Sequence, residues 1–259
     1  SRIRVADLGT RDFPSLREPG GPGKPIEDLG RLLGRVKHAM SEDPTRMHIC
    51  CALVEADGKE LRATTTDGHR LSTIAVPADF EIEALVSRPG LDAILRLLDK
   101  SDACSLLVEA GHLFVVCESR SLSAKLVDAA FPPWRAIVPK ALSRSAEVGR
   151  EELRVALVKA AIMAAERTSA IRICFASSAL VVEGEQGQRG DVRVEVDADY
   201  DGPEFSFHLS STYLSEAVDH LEGERIRIAT TCGSEEGAHP IWVGEVDGSA
   251  FDVIMPMRP

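Results

Sequence analysis

Long apolar runs are missing from this sequence of 259 residues. No stretch approaches the about 18 consecutive apolar residues that cross a bilayer. The first residues, SRIRVADLGT, lack the apolar segment of a signal peptide. Together these absences predict a cytoplasmic protein with no membrane contact.

Motifs of metal and cofactor chemistry are missing as well. The six cysteines form no C-x-x-C pair, and most of them lie in apolar, strand-like segments. We therefore predict reduced core residues rather than zinc ligands. No glycine-rich phosphate loop and no paired-carboxylate motif occurs either. The sequence gives no indication of a metal, a cofactor or a catalytic activity.

Positive charge is scarce over the chain as a whole. The formal net charge of -11 excludes a surface that is basic everywhere. Net charge does not say where the individual charges lie, so a local basic patch is still possible. The net charge therefore does not exclude nucleic acid as a partner.

What the chain does contain is one order of elements that occurs twice. A linker rich in proline and glycine covers residues 17–25. Hydrophobic periodicity then predicts helices at 26–40, 87–100, 150–166 and 210–223, with strands at 47–55, 60–66, 70–76, 104–128, 171–198 and 225–255, and a proline-rich connector at 130–142. Each half of the chain thus reads helix, strands, helix, strands.

The spacing of the two halves supports a duplication. About 120 residues separate Glu27 from Arg150, where the first and third helices begin, and Ser87 from Ser210, which are candidate helix caps. We predict an N-terminal segment (1–24), a first unit (25–140) and a second unit (141–259). Each unit is expected to pack two helices on a sheet of about six antiparallel strands, which is an α+β fold.

Three separated segments resemble one family. ELRATTTDGHRLS (60–72), KLVDAAFPPWRAIVPK (125–140) and VIMPMRP (253–259) are similar, in order and spacing, to signatures of the bacterial DNA polymerase III sliding clamp, the β subunit. The resemblance covers the second and third domains of that family and implies the DNA clamp fold. Residues 1–24 look like the last strand of a first domain and its linker. Family members close into rings, which implies a homo-oligomer.

The stretch TTTDGHRLS (64–72) has three interpretations. A catalytic cluster would need a nucleophile on His69, but Ser72 points to the opposite face of the strand from Leu71. A simple tight turn explains Asp67 and Gly68 only. The resemblance implies that the turn is one wall of a pocket that binds short peptides of client proteins.

The resemblance also implies which residues form this client pocket. They are Ile49, Thr66, Gly68, His69, Arg70, Leu71, Pro132, Ile137, Val253, Ile254, Met255, Pro256, Met257 and Arg258. A groove of apolar side chains suits peptides with apolar anchors, and methionines suit a groove that accepts many sequences. An alternative for VIMPM is an ordinary edge strand with a frayed tail.

Cations on the predicted helices suggest contact with DNA phosphates. Three helices carry pairs at i,i+4, so that both side chains of a pair share one face: Arg31 and Arg35, Arg96 and Lys100, and Arg150 and Arg154. Such faces attract the DNA backbone without reading its sequence, although solvated helix faces have the same pattern. The fourth helix does not fit, because Glu216, Asp219 and Glu222 make it acidic.

The sequence therefore predicts a non-enzymatic DNA sliding clamp. It is expected to encircle double-stranded DNA, to act near the nucleoid, and to tether DNA polymerase, the clamp loader and repair proteins through short peptide motifs. Two units a chain predict a homotrimeric ring if Ser1 is near the natural start, and a monomer or an open oligomer if a first domain has been lost. The alternative is a clamp-fold adaptor or regulator that binds clients without encircling DNA.

Overall fold

The computed structural model describes residues 18–98, 103–118, 120–164, 168–185, 190–231 and 239–257. Within these residues the chain forms four α-helices and sixteen strands. The helices are α1 (Leu29–Val36), α2 (Arg88–Leu97), α3 (Arg150–Ile162) and α4 (Ser211–His220). Lys100, Arg258 and most of the predicted N-terminal segment lie outside the described residues.

The strands divide evenly between the two units. Those of the first unit are β1 (Lys24–Ile26), β2 (Cys51–Asp57), β3 (Glu60–Thr66), β4 (Arg70–Pro77), β5 (Glu81–Ser87), β6 (Cys104–Glu109), β7 (His112–Val116) and β8 (Ser121–Lys125). Those of the second are β9 (Arg144–Gly149), β10 (Ala170–Ala176), β11 (Ala179–Glu185), β12 (Asp191–Asp199), β13 (Phe205–Ser210), β14 (Arg225–Thr230), β15 (Ile241–Glu245) and β16 (Ala250–Ile254). The α+β class predicted from the sequence is confirmed.

One antiparallel sheet runs through both units. It has twelve strands in the order β13-β10-β11-β12-β9-β14-β15-β16-β4-β3-β2-β5. The units meet where β16 pairs with β4, with Asp252 opposite Ser72 and Val253 opposite Leu71. We call this pairing the unit seam. A separate sheet of four strands, β1-β6-β7-β8, completes the first unit.

The helices pack on the sheet through one apolar face each. In α1 this face is formed by Leu29, Leu32, Leu33 and Val36, and in α3 by Leu153, Ala156, Leu157 and Ala160, at the same spacing. The resulting core is a single cluster of buried residues that extends through both units. No helix among the described residues is long and apolar enough to cross a membrane.

The two predicted serine caps are confirmed. The side chain of Ser87 accepts a hydrogen bond from the amide of Gly90, and that of Ser210 accepts one from Tyr213. The expectation of about six strands in a unit was wrong: each unit has eight, because β1 and β9 were missed, as were β5 and β13, which end at these same serines. A strand that runs directly into a helix leaves no turn signal between the two patterns.

Burial agrees with the prediction of core residues for three of the five cysteines that the structure describes, whereas Cys50 and Cys174 are half-buried. Cys51, Cys104 and Cys117 are buried. Burial raises the pKa of the Cys51 thiol to about 11, which keeps the thiol protonated.

A second buried cluster lies on the other face of the sheet, across the unit seam. Leu71, Trp134, Trp242 and Val253 belong to it, and Phe131 of the connector packs against it. The connector between the units thus covers the seam with apolar side chains. This cluster borders the cavity described next.

Candidate functional site: a cavity across the unit seam

A cavity of about 360 Å³ opens where the two units and the connector meet. It is lined by Arg46, His48, Ile49, Thr66, Gly68, His69, Arg70, Leu71, Pro132, Pro133, Trp134, Ala136, Ile137, Val253 and Met255. Ten of the residues that the resemblance implied are therefore brought together here. They come from segments that are far apart in the sequence, so neither unit forms the cavity alone.

Strand alternation explains which side chains reach the cavity. Successive residues of a strand point to opposite faces of the sheet. Leu71 and Val253 are paired across the seam and lie on the cavity side. Their neighbours Ser72 and Asp252 lie on the helix side, where they bond to Arg35 of α1.

The turn between β3 and β4 holds its own shape. The carboxylate of Asp67 accepts hydrogen bonds from the amides of His69, at 2.8 Å, and Arg70, at 3.0 Å. The hydroxyl of Thr66 accepts a hydrogen bond from the amide of Gly68 and donates one to the carbonyl of Arg70. Gly68 has φ +96°, a conformation that favours glycine. The turn thereby presents an exposed His69 at the cavity mouth.

Each nitrogen of the Arg70 guanidinium donates a hydrogen bond. The group donates to Asp67 at 3.0 Å, to the carbonyl of His38 at 2.6 Å and to Glu216 of α4. It also lies 4.3 Å from the ring centre of Tyr213, within cation-π range. Arg70 thus ties the turn of the first unit to a helix of the second.

The cavity rim is apolar and accessible. Met255 and Ile137 are 40% and 43% exposed, respectively. The amide of Met255 donates to the carbonyl of His69 at 2.9 Å, which fixes the rim to the turn. Arg46 donates to the carbonyl of Asp67 at 3.0 Å and supplies a cation beside the rim.

Several residues predicted for the pocket lie elsewhere. Ile254 is fully buried in the core on the helix side, because it alternates with Val253. Pro256 and Met257 lead the chain away from the cavity, and the amide of Met257 donates to the carbonyl of His208 at 2.8 Å. Arg258 lies outside the described residues.

Five lining residues were missed by the sequence-based prediction. They are Arg46, His48, Pro133, Trp134 and Ala136. The last three stand inside the quoted segment KLVDAAFPPWRAIVPK, so its unassigned positions were the available signal. Arg46 and His48 belong to an irregular loop before β2, for which periodicity gives no signal.

A catalytic role for the turn finds no support in the geometry. The hydroxyl of Ser72 accepts a hydrogen bond from Arg35 at 2.9 Å and is buried on the helix side of the sheet. His69 is exposed at the mouth of the cavity on the other face. Ser72 is therefore not placed as a nucleophile for His69.

The predicted DNA-binding cations have different environments. Arg96 and Arg154 are exposed, and Arg154 bonds to Glu151 on its own helix. Arg150 is partly buried, and Arg31 pairs with Glu222, which follows α4, at 2.8 Å. Lys100 lies outside the described residues.

The assignment of Arg35 to DNA binding was wrong. Only 4% of its side chain is exposed, and its guanidinium pairs with Asp252 of β16. The i,i+4 spacing with Arg31 suggests one exposed face, but Arg35 is turned toward the sheet, where a carboxylate of the other unit meets it. Its charge is therefore neutralised inside the protein.

Arg35 belongs to a junction cluster of Arg35, His38, Ser72, His220 and Asp252. His38 lies 2.8 Å from the carboxylate of Asp252 through Nε2, and its ring stacks on that of His220. Burial would raise the pKa of Asp252, but the charge of Arg35 and the bond from His38 outweigh it and hold this pKa well below its usual range. Asp252 is therefore an ionised carboxylate.

Comparison with known families accounts for nearly the whole chain. Residues 25–133 match the model of the DNA polymerase III beta subunit, central domain, and residues 135–258 match its C-terminal domain. The beta sliding clamp of Pseudomonas putida is 29% identical over 266 residues, covering 100% of this chain and 72% of the relative. That of Escherichia coli K12 is 25% identical with the same coverage.

Solved structures agree with this assignment. A crystal structure of the Pseudomonas aeruginosa DNA polymerase sliding clamp has a TM-score of 0.86 at 25% identity, covering 97% of this chain and 70% of that one. The clamp of the same organism bound to griselimycin has a TM-score of 0.88 at 25% identity and the same coverage. The chain therefore belongs to the DNA polymerase III beta subunit family, the bacterial DNA sliding clamps.

Proposed function

We propose that this clamp holds double-stranded DNA without sequence preference and tethers client proteins through the cavity across the unit seam, the client pocket. The observation that carries the client assignment is the convergence of both units and the connector on one apolar, open cavity. DNA polymerase, the clamp loader and repair proteins are the proposed clients, in the cytoplasm at the nucleoid. A tethering role requires no catalytic group and no cofactor.

The pocket suits a short peptide or a compound of similar character. Leu71, Ile137, Val253 and Met255 offer apolar surface, and the exposed ring of His69 adds a polar group that can fix the direction of a chain. An extended peptide that buries one leucine-sized side chain there gains about 1.5 to 3 kcal/mol. Griselimycin, which is bound to the related Pseudomonas aeruginosa clamp, is a proposed ligand of this chain.

Ring assembly is proposed to repeat the unit seam between chains. In the first unit β8 stands at the end of its sheet, and in the second only Ala198 and Asp199 of β12 pair with β9. By their order in the two units, β8 corresponds to β16 and β12 to β4. The edges at β8 and β12 are thus the counterparts of β16 and β4, which pair with each other at the unit seam.

An exposed apolar stripe on α3 supports the same contact. Val155, Val158 and Ile162 are 43%, 58% and 70% exposed and share one face of the helix. When the buried faces of α1 and α3 are superimposed, these positions correspond to Arg31, Gly34 and His38. Arg31 and His38 contact Glu222 and His220 across the unit seam. The stripe therefore marks the face of α3 that would meet a neighbouring unit.

The experiment is retention on circular DNA. The 259-residue chain is loaded on a nicked circular duplex and passed over a sizing column, before and after the circle is cut at one site. A sliding ring co-elutes with the circle and is released when the duplex is linear. Equal retention on both forms, or no retention with normal client binding, contradicts the ring and favours an adaptor. The burial of Arg35 and the acidic α4 are the observations on the adaptor's side.

A further inference from the structure

The hydrogen bonds of His38 determine its protonation state. Its Nδ1 lies 3.0 Å from the carbonyl oxygen of Arg35, which can only accept. Its Nε2 lies 2.8 Å from the carboxylate of Asp252, which is ionised and also only accepts. Both ring nitrogens therefore face acceptors, an arrangement that favours the doubly protonated imidazolium form of His38.

Groups from every neighbouring element face this imidazolium. From β16 comes Asp252, and from α4 come the ring of His220 and the carbonyl that its Nδ1 contacts, that of Glu216. Burial lowers the pKa of His220, and the charge of His38 lowers it further, so His220 is the neutral ring of the stack.

The remaining charges lie on α1 and β4. Arg35 pairs with Asp252 and bonds to Ser72, and the guanidinium of Arg70 donates to the carbonyl of His38 itself. Lys37, on the same turn as His38, is paired with Asp92 of α2. The proton on His38 is thus balanced mainly by Asp252.

The junction cluster is the reverse side of the client pocket wall. Asp252 precedes Val253 on β16, and Ser72 follows Leu71 on β4, so a shift of either strand on the helix side moves a lining residue on the pocket side. Arg70 adds a second link, because one side chain contacts both His38 and the turn at the pocket mouth. The cluster and the pocket wall share the same two strands.

We propose that Arg35, His38 and Asp252 are positioning residues of the client pocket and that the proton on His38 regulates its affinity. With His38 charged, the carboxylate of Asp252 is held by two donors of the first unit, Arg35 and His38, and β16 is fixed against β4. Loss of the proton removes one of the two N–H donors, and the seam under the pocket loosens. This inference rests on the proposed role of the cavity as the client pocket.

The test measures griselimycin affinity by calorimetry at about pH 6 and about pH 8.5, on either side of imidazole titration. For the parent chain we expect affinity to fall about tenfold at the higher pH, the loss that one hydrogen bond to a charged group produces. In His38→Gln, which keeps one N–H donor that does not titrate, this dependence is expected to disappear. His112→Gln, on β7 outside the junction, is the matched control and should follow the parent chain.

The outcomes separate the two proposals. His48 and His69 line the pocket in all three proteins, so any pH dependence they cause is common to them and cancels in the comparison. An identical pH dependence in His38→Gln and the parent chain overturns the positioning role. No griselimycin binding by the parent chain at either pH overturns the client pocket itself.

A second measurement requires no ligand and no variant. Nitrogen-15 spectra of the histidine rings distinguish a ring with both nitrogens protonated from a neutral tautomer. At about pH 6 we expect one buried histidine in the doubly protonated form and its stacked neighbour in the neutral form. Two neutral rings in the junction at that pH contradict the inference even if His38→Gln fails to fold.

Discussion

His38 and His220 stack across the unit seam, with 4.4 Å between their ring centroids and 17° between their planes. One ring follows α1 of the first unit and the other ends α4 of the second. Two imidazolium rings at this distance would repel each other, so at most one ring of the stack carries a charge. The two units are therefore joined by a contact between two titratable rings.

The first prediction concerns the pH dependence of stability. Because burial lowers the pKa of His220, the unfolded chain binds a proton at this residue that the folded chain does not, once the pH falls through the ordinary histidine range. This residue therefore costs stability as the pH falls from about 7 to about 5. We expect the melting temperature of His220→Gln to fall less over that interval than the melting temperature of the parent chain, as measured by calorimetry. A larger fall in melting temperature in the variant would contradict the assignment of His220 as the neutral ring.

The second prediction concerns the client pocket. Met255→Glu places a charge on the rim and should reduce griselimycin affinity at least tenfold, because an apolar surface is removed and a carboxylate must be desolvated. Met47 is 60% exposed and does not line the cavity, so Met47→Glu is the matched control. Both variants should melt close to the parent chain. Equal affinity of the two variants would argue against the pocket.

The third prediction concerns DNA. Arg96→Ala combined with Arg154→Ala should weaken association with duplexes of unrelated sequence to the same extent and lower the salt dependence, by a slope of about 0.9 for each phosphate that is no longer neutralised. The control is Arg172→Ala on β10, since that side chain is 46% exposed but not on a helix. Fluorescence anisotropy over a salt series gives both quantities. A weakening that depends on the DNA sequence, or an equal weakening in the control, contradicts phosphate binding by the helices.

Glu222 offers a gain of function on the same surface. Its carboxylate neutralises Arg31, so Glu222→Gln should free that cation and strengthen DNA association in the same assay.

The fourth prediction concerns assembly. In the 259-residue chain, light scattering across a concentration series should show association, with a mass near three chains for a closed ring of two-unit subunits. Ile162→Glu should shift the mass toward one chain, because it charges the most exposed residue of the α3 stripe. Val246→Glu, at a site 39% exposed in the turn after β15, should leave the mass unchanged. A monomer at every concentration for the parent chain would exclude ring formation by these residues alone.

The sequence predicted what depends on local pattern. The apolar face of α1, the caps Ser87 and Ser210 and the turn at Asp67 and Gly68 follow from periodicity or from single-residue chemistry, and each is observed. The client pocket was assembled from family resemblance, since its walls meet only in the folded chain. Strand alternation then decides which residues reach the pocket, and it places the predicted lining residue Ile254 on the helix side of the sheet instead.

The junction cluster could not be predicted in this way. Arg35 looked like an exposed cation because nothing near it in the sequence shows that Asp252 lies opposite. The pairing depends on the register of β16 against β4, and Arg35 and Asp252 are 217 positions apart in the sequence. A buried charge at a unit boundary is therefore visible only when both units are in place.

The continuous sheet gives the clamp a mechanical property. A client held in the proposed pocket would pull on β4 and β16, which supply the wall residues Leu71 and Val253. Force along these antiparallel strands loads all their main-chain hydrogen bonds together rather than one after another. The neighbouring strands of the same sheet then spread the load on either side. We expect a bound client to detach under tension well before the seam beneath it separates.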